Sequence, residues 1–170
     1  MTCRRAGAAR PRPSAAQRHS RARGAYERAA VKRAEGQIEI RLPTRGREPE
    51  TVVAHLGPTN SGKTYHALEV LKEQGRGVYA GPLRMLAQEA YRRLSAELGE
   101  EQVGLVTGEE RVNEGAPIVC CTVEMAPTRG DVLVLDEVQW ADDPERGSAW
   151  TRLLLAGSYR HILLLGALDA

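Results

Sequence analysis

The chain of 170 residues has no phenylalanine, and its two Trp and five Tyr bring the Phe, Trp and Tyr content to only 4%. So few rings argue against a row of stacking platforms for nucleobases and, for any nucleic-acid partner, favour contact through its backbone. Cysteine is as scarce. Cys3, Cys120 and Cys121 are too few and too badly spaced for a disulfide framework or a zinc site, which suits a reducing compartment. No apolar run approaches the ~18 residues that suggest a membrane span, and nothing reads as a secretory signal. No internal repeat is present.

Acid is missing from residues 1–26, as are Val, Leu, Ile and Phe. Such a segment cannot bury a core and is expected to be disordered. Residues 1–47 hold 13 Lys and Arg against 3 Glu, a net of +10, while residues 48–170 hold 11 against 19 Asp and Glu, a net of −8. The overall +2 therefore describes a basic tail joined to an acidic globule. The tail has three readings: a solvated extension, an RNA-binding arm, or a mitochondrial transit peptide. Pro11, Pro13 and the lack of a bulky apolar face count against the third. If the tail binds RNA, deleting residues 1–47 should flatten the salt dependence of binding. Residues 27–50 read as a short helix or strand followed by the linker LPTRGREPE into the first core strand.

Lysine is rare, three of the 24 basic residues, and one of the three sits in GPTNSGKT. Gly57, Pro58, Thr59, Asn60, Ser61, Gly62, Lys63 and Thr64 satisfy G-x-x-x-x-G-K-[ST] in full. Such a loop wraps nucleotide phosphates in backbone N–H groups at a helix N-terminus, and its lysine neutralises their charge. An arginine-rich chain that places lysine here is using the compact ammonium rather than the guanidinium fork. The flanks agree. TVVAHL (51–56) reads as a strand entering the loop, and YHALEVLKEQ (65–74) as a helix leaving it, closed by Gly75.

Beyond the loop, strands and helices alternate. GVYA (77–80), VGLVT (103–107), PIVCC (117–121), DVLVLD (131–136) and HILLLG (161–166) are apolar strands. Leu83, Leu86, Ala87, Ala90, Tyr91, Leu94 and Leu98 recur at helical steps up to Gly99, and SAWTRLLLAG (148–157) reads as another helix. Continuously apolar strands alternating with helices predict an α/β domain over 51–170, a parallel sheet covered on both faces. About 120 residues suffice for its core.

DVLVLDEVQ (131–139) supplies acids. Four apolar residues run into Asp136 and Glu137 at a strand's C-terminal end, where open α/β sheets bind ligands. There Asp136 would hold Mg²⁺ beside the Thr64 hydroxyl, and Glu137 would polarise an attacking water. GPLRMLA (81–87) puts Arg84 near a helix N-terminus. VTGEER (106–111) is a strand exit. CTVEM (121–125) carries Thr122, a candidate N-cap, and Glu124. Each of these three, taken alone, reads as structural sooner than functional.

Together, GPTNSGKTYHAL, YAGPLRMLAQEAY, LVTGEERV, CTVEM and LDEVQWADDPERGSAWTRLLL resemble, in order and spacing, the ATP-dependent RNA helicase of the mitochondrial RNA degradosome and its bacterial relatives. These are superfamily-two DExH/D-box helicases. The resemblance runs from Thr51 to the C-terminus and implies the first of two RecA-like domains, a P-loop NTPase fold. It implies ATP and Mg²⁺ as cofactors, Gly57 to Thr64 as motif I, and Thr64 and Asp136 as metal-side groups. Asp136, Glu137, Val138 and Gln139 resemble the DE-x-Q form of motif II, with Lys63, Asp136, Glu137 and Gln139 as the catalytic set. Pro82, Leu83 and Arg84, then Thr107, Gly108 and Glu109, then Thr122 and Glu124 resemble the blocks that contact RNA.

Gly166 to Ala170 resemble motif III, but GALDA carries Leu168 where the family has proline. The implied partners are single-stranded or partly duplex RNA, a ribonuclease, and a second RecA-like domain absent from these residues; no membrane is implied. An arginine finger from that domain is worth about 10³–10⁵ in rate, so this chain alone is expected to hydrolyse slowly and not to unwind. A bacterial-type cytoplasm is the expected location, with the mitochondrial matrix as the alternative. Two other readings stand beside this one: a P-loop small-molecule kinase of thymidine-kinase type, which lacks its usual Cys-based zinc site here, and a nucleotide-binding remnant without turnover.

Overall fold

A computed structural model describes residues 45–58 and 61–167. The basic tail through residue 44, Thr59 and Asn60 of the glycine loop, and Leu168 of the motif III block lie outside the described residues.

The order is β1 (Thr51–Leu56), α1 (Lys63–Gln74), β2 (Gly77–Gly81), α2 (Arg84–Leu98), β3 (Val103–Val106), β4 (Arg111–Val112), β5 (Ile118–Thr122), β6 (Arg129–Leu135), α3 (Gly147–Ala156) and β7 (Ser158–Gly166). The strands form one seven-stranded sheet in the order β1-β7-β6-β2-β5-β3-β4. All pairings are parallel except β3 with β4. This is the doubly covered, mostly parallel sheet that the apolar runs predict.

Period-2 alternation divides the core between the two faces. Tyr79, Cys120, Val132, Val134 and Leu163 pack with Ala67, Leu68 and Leu71 of α1 and Ala87, Ala90 and Leu94 of α2. Val78, Ala80, Cys121, Leu133, Leu135 and Ile162 pack on the other face with Trp150 and Leu153 of α3. Cys120 and Cys121 are buried free thiols, and burial pushes the Cys121 thiol up to about 12. Both are therefore inert packing residues.

Three local features differ from the sequence expectation. First, α1 starts two residues early, inside the glycine loop, because Gly62 takes a left-handed φ of 81° and turns the chain directly into helix. Second, GEERV folds back as the two-residue strand β4, too short and too polar to show in a periodicity. Third, β1 is not a core strand. It stands at the end of the sheet order, paired only with β7, and Val52, Val53 and Leu56 are 54%, 45% and 46% exposed. Strand position is set by the chain's path, and β1's own apolar composition carries no trace of it.

Candidate nucleotide site and strand edge

Parallel strands send all their C-terminal ends to one edge, so residues far apart in sequence meet there. The glycine loop leaves β1, Pro82 to Arg84 follow β2, Thr107 and Gly108 follow β3, Thr122 ends β5 with Glu124 in the turn after it, and Asp136 follows β6. A cleft of about 490 Å³ on this edge is lined by Ser61, Gly62, Lys63 and Thr64 on one side and Tyr79, Asp136 and Glu137 on the other. The loop is anchored where it starts, since Gly57 N–H donates to Gly166 O at 3.2 Å. Lys63 Nζ is folded onto its own loop, donating to Gly57 O (2.8 Å), Pro58 O (2.6 Å) and Ser61 Oγ (3.2 Å). A phosphate would offer this ammonium charged acceptors in place of neutral ones, which makes stronger hydrogen bonds.

Asp136 is 4% exposed. Burial raises its carboxyl above the ordinary value of 3.8, and the hydrogen bonds from Tyr79 and the Glu137 backbone, with the Lys63 charge, work against that rise. Tyr79 Oη donates to Asp136 Oδ2 at 2.6 Å, and Glu137 N–H donates to Oδ1 at 2.9 Å. Burial, and then the Asp136 charge, push the Tyr79 phenol far above its usual range, so it is always a donor. Asp136 N–H is itself held by Ala80 O at 2.9 Å.

Glu137 adopts a left-handed φ of 53° and ψ of 50°, a strained conformation for a non-glycine residue of the kind that clusters at functional sites. Gln139 is the next link. Its Nε2 donates to Glu137 Oε2, and its Oε1 accepts Ala167 N–H at 3.1 Å. The acid turn is thus tied to the segment that follows β7.

Among the described residues no group of three His, Cys, Asp or Glu is placed to hold a metal. Mg²⁺ needs no such group, because it takes one or two carboxylates and fills its shell with substrate phosphates and waters. Thr64 and Asp136, both lining the cleft, are the residues that could hold such an ion.

At the rest of the edge the predicted residues are in different situations. Pro82 is buried, while Leu83 and Arg84 are exposed, and Arg84 pairs with Glu109. Thr107 is 1% exposed, and its Oγ1 accepts the Glu109 and Glu110 N–H groups at 3.3 and 3.0 Å. It shapes the loop that presents Gly108. Thr122 precedes a 3₁₀ turn, Val123–Met125, but its side chain makes no capping hydrogen bond, so the expected N-cap is absent. Glu124 is engaged by Arg146 at 2.7 Å. Tyr79, Arg146 and Trp150 belong to the site but carry no signal in the sequence. Nothing local marks them, since their partners lie 57, 64 and 14 positions away.

A parallel α/β sheet with a phosphate loop and a DE-x-Q turn on the same edge defines a RecA-like helicase nucleotide-binding domain. The family model described as the DEXQ-box helicase domain of Suv3 matches residues 43–170, and the chain belongs to that family. It is 46% identical over 123 residues to the mitochondrial ATP-dependent RNA helicase SUV3 of Saccharomyces cerevisiae, covering 68% of this chain and 16% of that protein. Against the mitochondrial ATP-dependent RNA helicase SUPV3L1 of Homo sapiens it is 45% identical over 122 residues, covering 68% and 15%. Against the SUV3 homolog of Drosophila melanogaster it is 50% identical over 111 residues, covering 61% and 14%. The chain thus spans about a sixth of the length of the curated relatives it matches. These matches favour the helicase reading over the small-molecule kinase.

Proposed function

We propose that the chain is the nucleotide-binding domain of an ATP-dependent RNA helicase. It binds Mg-ATP in the cleft between the glycine loop and Asp136, and the RNA backbone along the same strand edge. The observation that carries this reading is the convergence of Lys63, Thr64 and buried Asp136 on one cleft, beside the loops that follow β2, β3 and β5. In this reading Lys63 leaves its loop carbonyls for the β- and γ-phosphates. Bound Mg²⁺ would neutralise developing phosphate charge, with Thr64 and Asp136 as its protein ligands. Glu137 orients the attacking water, and Gln139 holds Glu137 in place. Pro82, Leu83, Arg84, Thr107, Gly108, Thr122 and Glu124 form the RNA side, with Arg84 as its cation and Thr107 and Glu124 acting through the loops they shape.

The curated relatives are named as mitochondrial proteins, which supports the mitochondrial matrix over the cytoplasm for this chain. Their greater length is in keeping with a second RecA-like domain that completes the hydrolytic site, and a ribonuclease partner follows from the family resemblance alone. Titration of a fluorescent ATP analogue with and without Mg²⁺ tests the core of the proposal. Mg²⁺-dependent binding by the wild-type chain, lost in Lys63→Ala and Asp136→Asn, is the expected result. Binding that ignores both substitutions would remove the cleft from the account.

A further inference from the structure

Trp140, Arg146 and Trp150 lie outside the glycine loop, the acid pair and the backbone-contact blocks, yet they join them. Trp150 is fully buried on α3, and its Nε1 donates to the Asp136 carbonyl at 3.1 Å. Trp140 stacks on it with centroids 6.2 Å apart and planes at 23°. The Arg146 guanidinium lies over both rings, 5.3 Å from Trp140 and 5.9 Å from Trp150. On its other side Nε and Nη2 donate to Glu124 Oε1 at 3.0 and 2.7 Å, and Nη2 donates to the Pro82 carbonyl at 2.5 Å. One planar cation therefore touches the ring pair beneath the acid turn and the loops after β2 and β5.

The base of this bridge is fixed. Asp143 Oδ1 accepts the Glu145 and Arg146 N–H groups at 2.9 and 2.8 Å. Gly147 packs so closely that a Cβ there would lie 2.3 Å from Ala141 O. The Asp136 carbonyl is thus linked to Arg146 through packed rings, and Arg146 donates to both remote loops. Lysine cannot substitute, because a single ammonium has neither the fork that serves Glu124 and Pro82 together nor the plane that lies on indole.

We propose that Arg146 is a positioning residue that makes the geometry of the Pro82–Arg84 and Thr122–Glu124 loops depend on occupancy of the nucleotide cleft. The inference rests on the nucleotide reading above. It would give the domain a route, independent of any second domain, by which nucleotide and RNA binding favour or oppose each other reciprocally.

Hydrogen exchange of the whole chain, with and without a non-hydrolysable ATP analogue and Mg²⁺, tests it. Useful reporters are the amides of Leu86 and Ala87, which donate to Leu83 O, and of Ala126, which donates to Val123 O. In the wild type, nucleotide should slow exchange several-fold in 57–66 and also in 82–87 and 122–126. Arg146→Lys should keep the first effect and lose the other two. Trp140→Leu, which removes the seat of the guanidinium, should do the same and covers the case in which the arginine variant fails to fold. Remote slowing that persists in the folded variants, or is absent from the wild type while 57–66 responds, overturns the proposal. No response in 57–66 of the wild type overturns the nucleotide reading itself.

Discussion

The Tyr79 phenol donates a 2.6 Å hydrogen bond to Asp136 Oδ2 inside the core. It comes from β2, next to β6 in the sheet, so a neutral donor fixes one oxygen of the carboxylate that the proposed function gives to Mg²⁺. Hydrogen bonds to charged groups contribute about 1.5–3 kcal/mol. Tyr79→Phe should therefore weaken Mg-nucleotide binding by about tenfold, equivalent to ~1.4 kcal/mol. The same bond holds the Asp136 carboxyl down against the effect of burial. Removing it lets Asp136 take up a proton more readily, so the acid limb of nucleotide binding should move to higher pH. Equilibrium titrations across pH measure both effects, and unchanged affinity with an unchanged acid limb would leave the phenol as packing alone.

Asp136 also sets a stability cost with a definite sign. Burial, its largest influence, raises the folded carboxyl above 3.8, so the native state holds its proton more tightly than the unfolded chain. Stability is then greatest below the ordinary value, falls as pH rises through the folded value, and stays flat above it. Asp136→Asn has no charge to bury. Its melting temperature should match the wild type near pH 4 and exceed it by a few degrees at neutral pH, since ~1 kcal/mol moves Tm by about 2–8 °C for domains near this size. Thermal melts of both proteins from pH 4 to 8, without nucleotide, decide it. A gap that narrows with rising pH contradicts the argument.

What was legible in the sequence follows the range of the interactions. GPTNSGKT could be read because one continuous segment builds the phosphate loop, and the apolar runs could be read because burial on both faces leaves no polar alternation. Asp136 and Glu137 were visible as acids ending such a run. Tyr79 was not, because inside GVYA it is one more strand residue until β6 is placed beside it. Arg146 reads as a solvated charge in DDPERG until its fork meets Glu124 and Pro82. The exposed state of β1 was invisible for the same reason, since neighbours decide it. Thr107 sat in a block that resembles an RNA contact, but its buried hydroxyl serves its own loop.

Gly166 ends β7 in a tight corner. A Cβ there would lie 2.9 Å from Val138 Cγ1, 3.0 Å from Leu56 Cδ2 and 3.2 Å from Gln139 Oε1. The first two are side-chain ends that can yield. Gln139 can yield only by releasing Ala167 N–H, and with it the link to Glu137. Gly166→Ala should cost about 1–3 kcal/mol, the usual range for overpacking, and should lower ATP turnover more than nucleotide affinity. Urea denaturation and a split of binding from turnover check the two halves. Full stability with full turnover would show that Gln139 is not held as described.

The basic N-terminal segment can be tested cleanly only if the cut respects the fold. Arg45 donates to the Leu154 carbonyl, and Gly46 N–H donates to Ser158 Oγ at 2.9 Å, so a deletion through residue 47 would also remove contacts with α3 and β7. Removing residues 1–44 leaves those contacts in place and takes away 11 of the 12 basic residues before position 46 along with all 3 acids there. The remaining globule is acidic, and each Lys or Arg that neutralises a phosphate of a single strand contributes about 0.7 to the slope of log K against log salt. If the segment binds RNA, the truncated chain should bind more weakly at low salt and show a slope shallower by at least that amount. Fluorescence anisotropy with an unstructured RNA between 50 and 200 mM salt, roughly the range over which such electrostatics fall away, gives the slope for both chains. Equal slopes would assign RNA binding to the strand edge alone, with Arg84, freed from Glu109, as its principal cation.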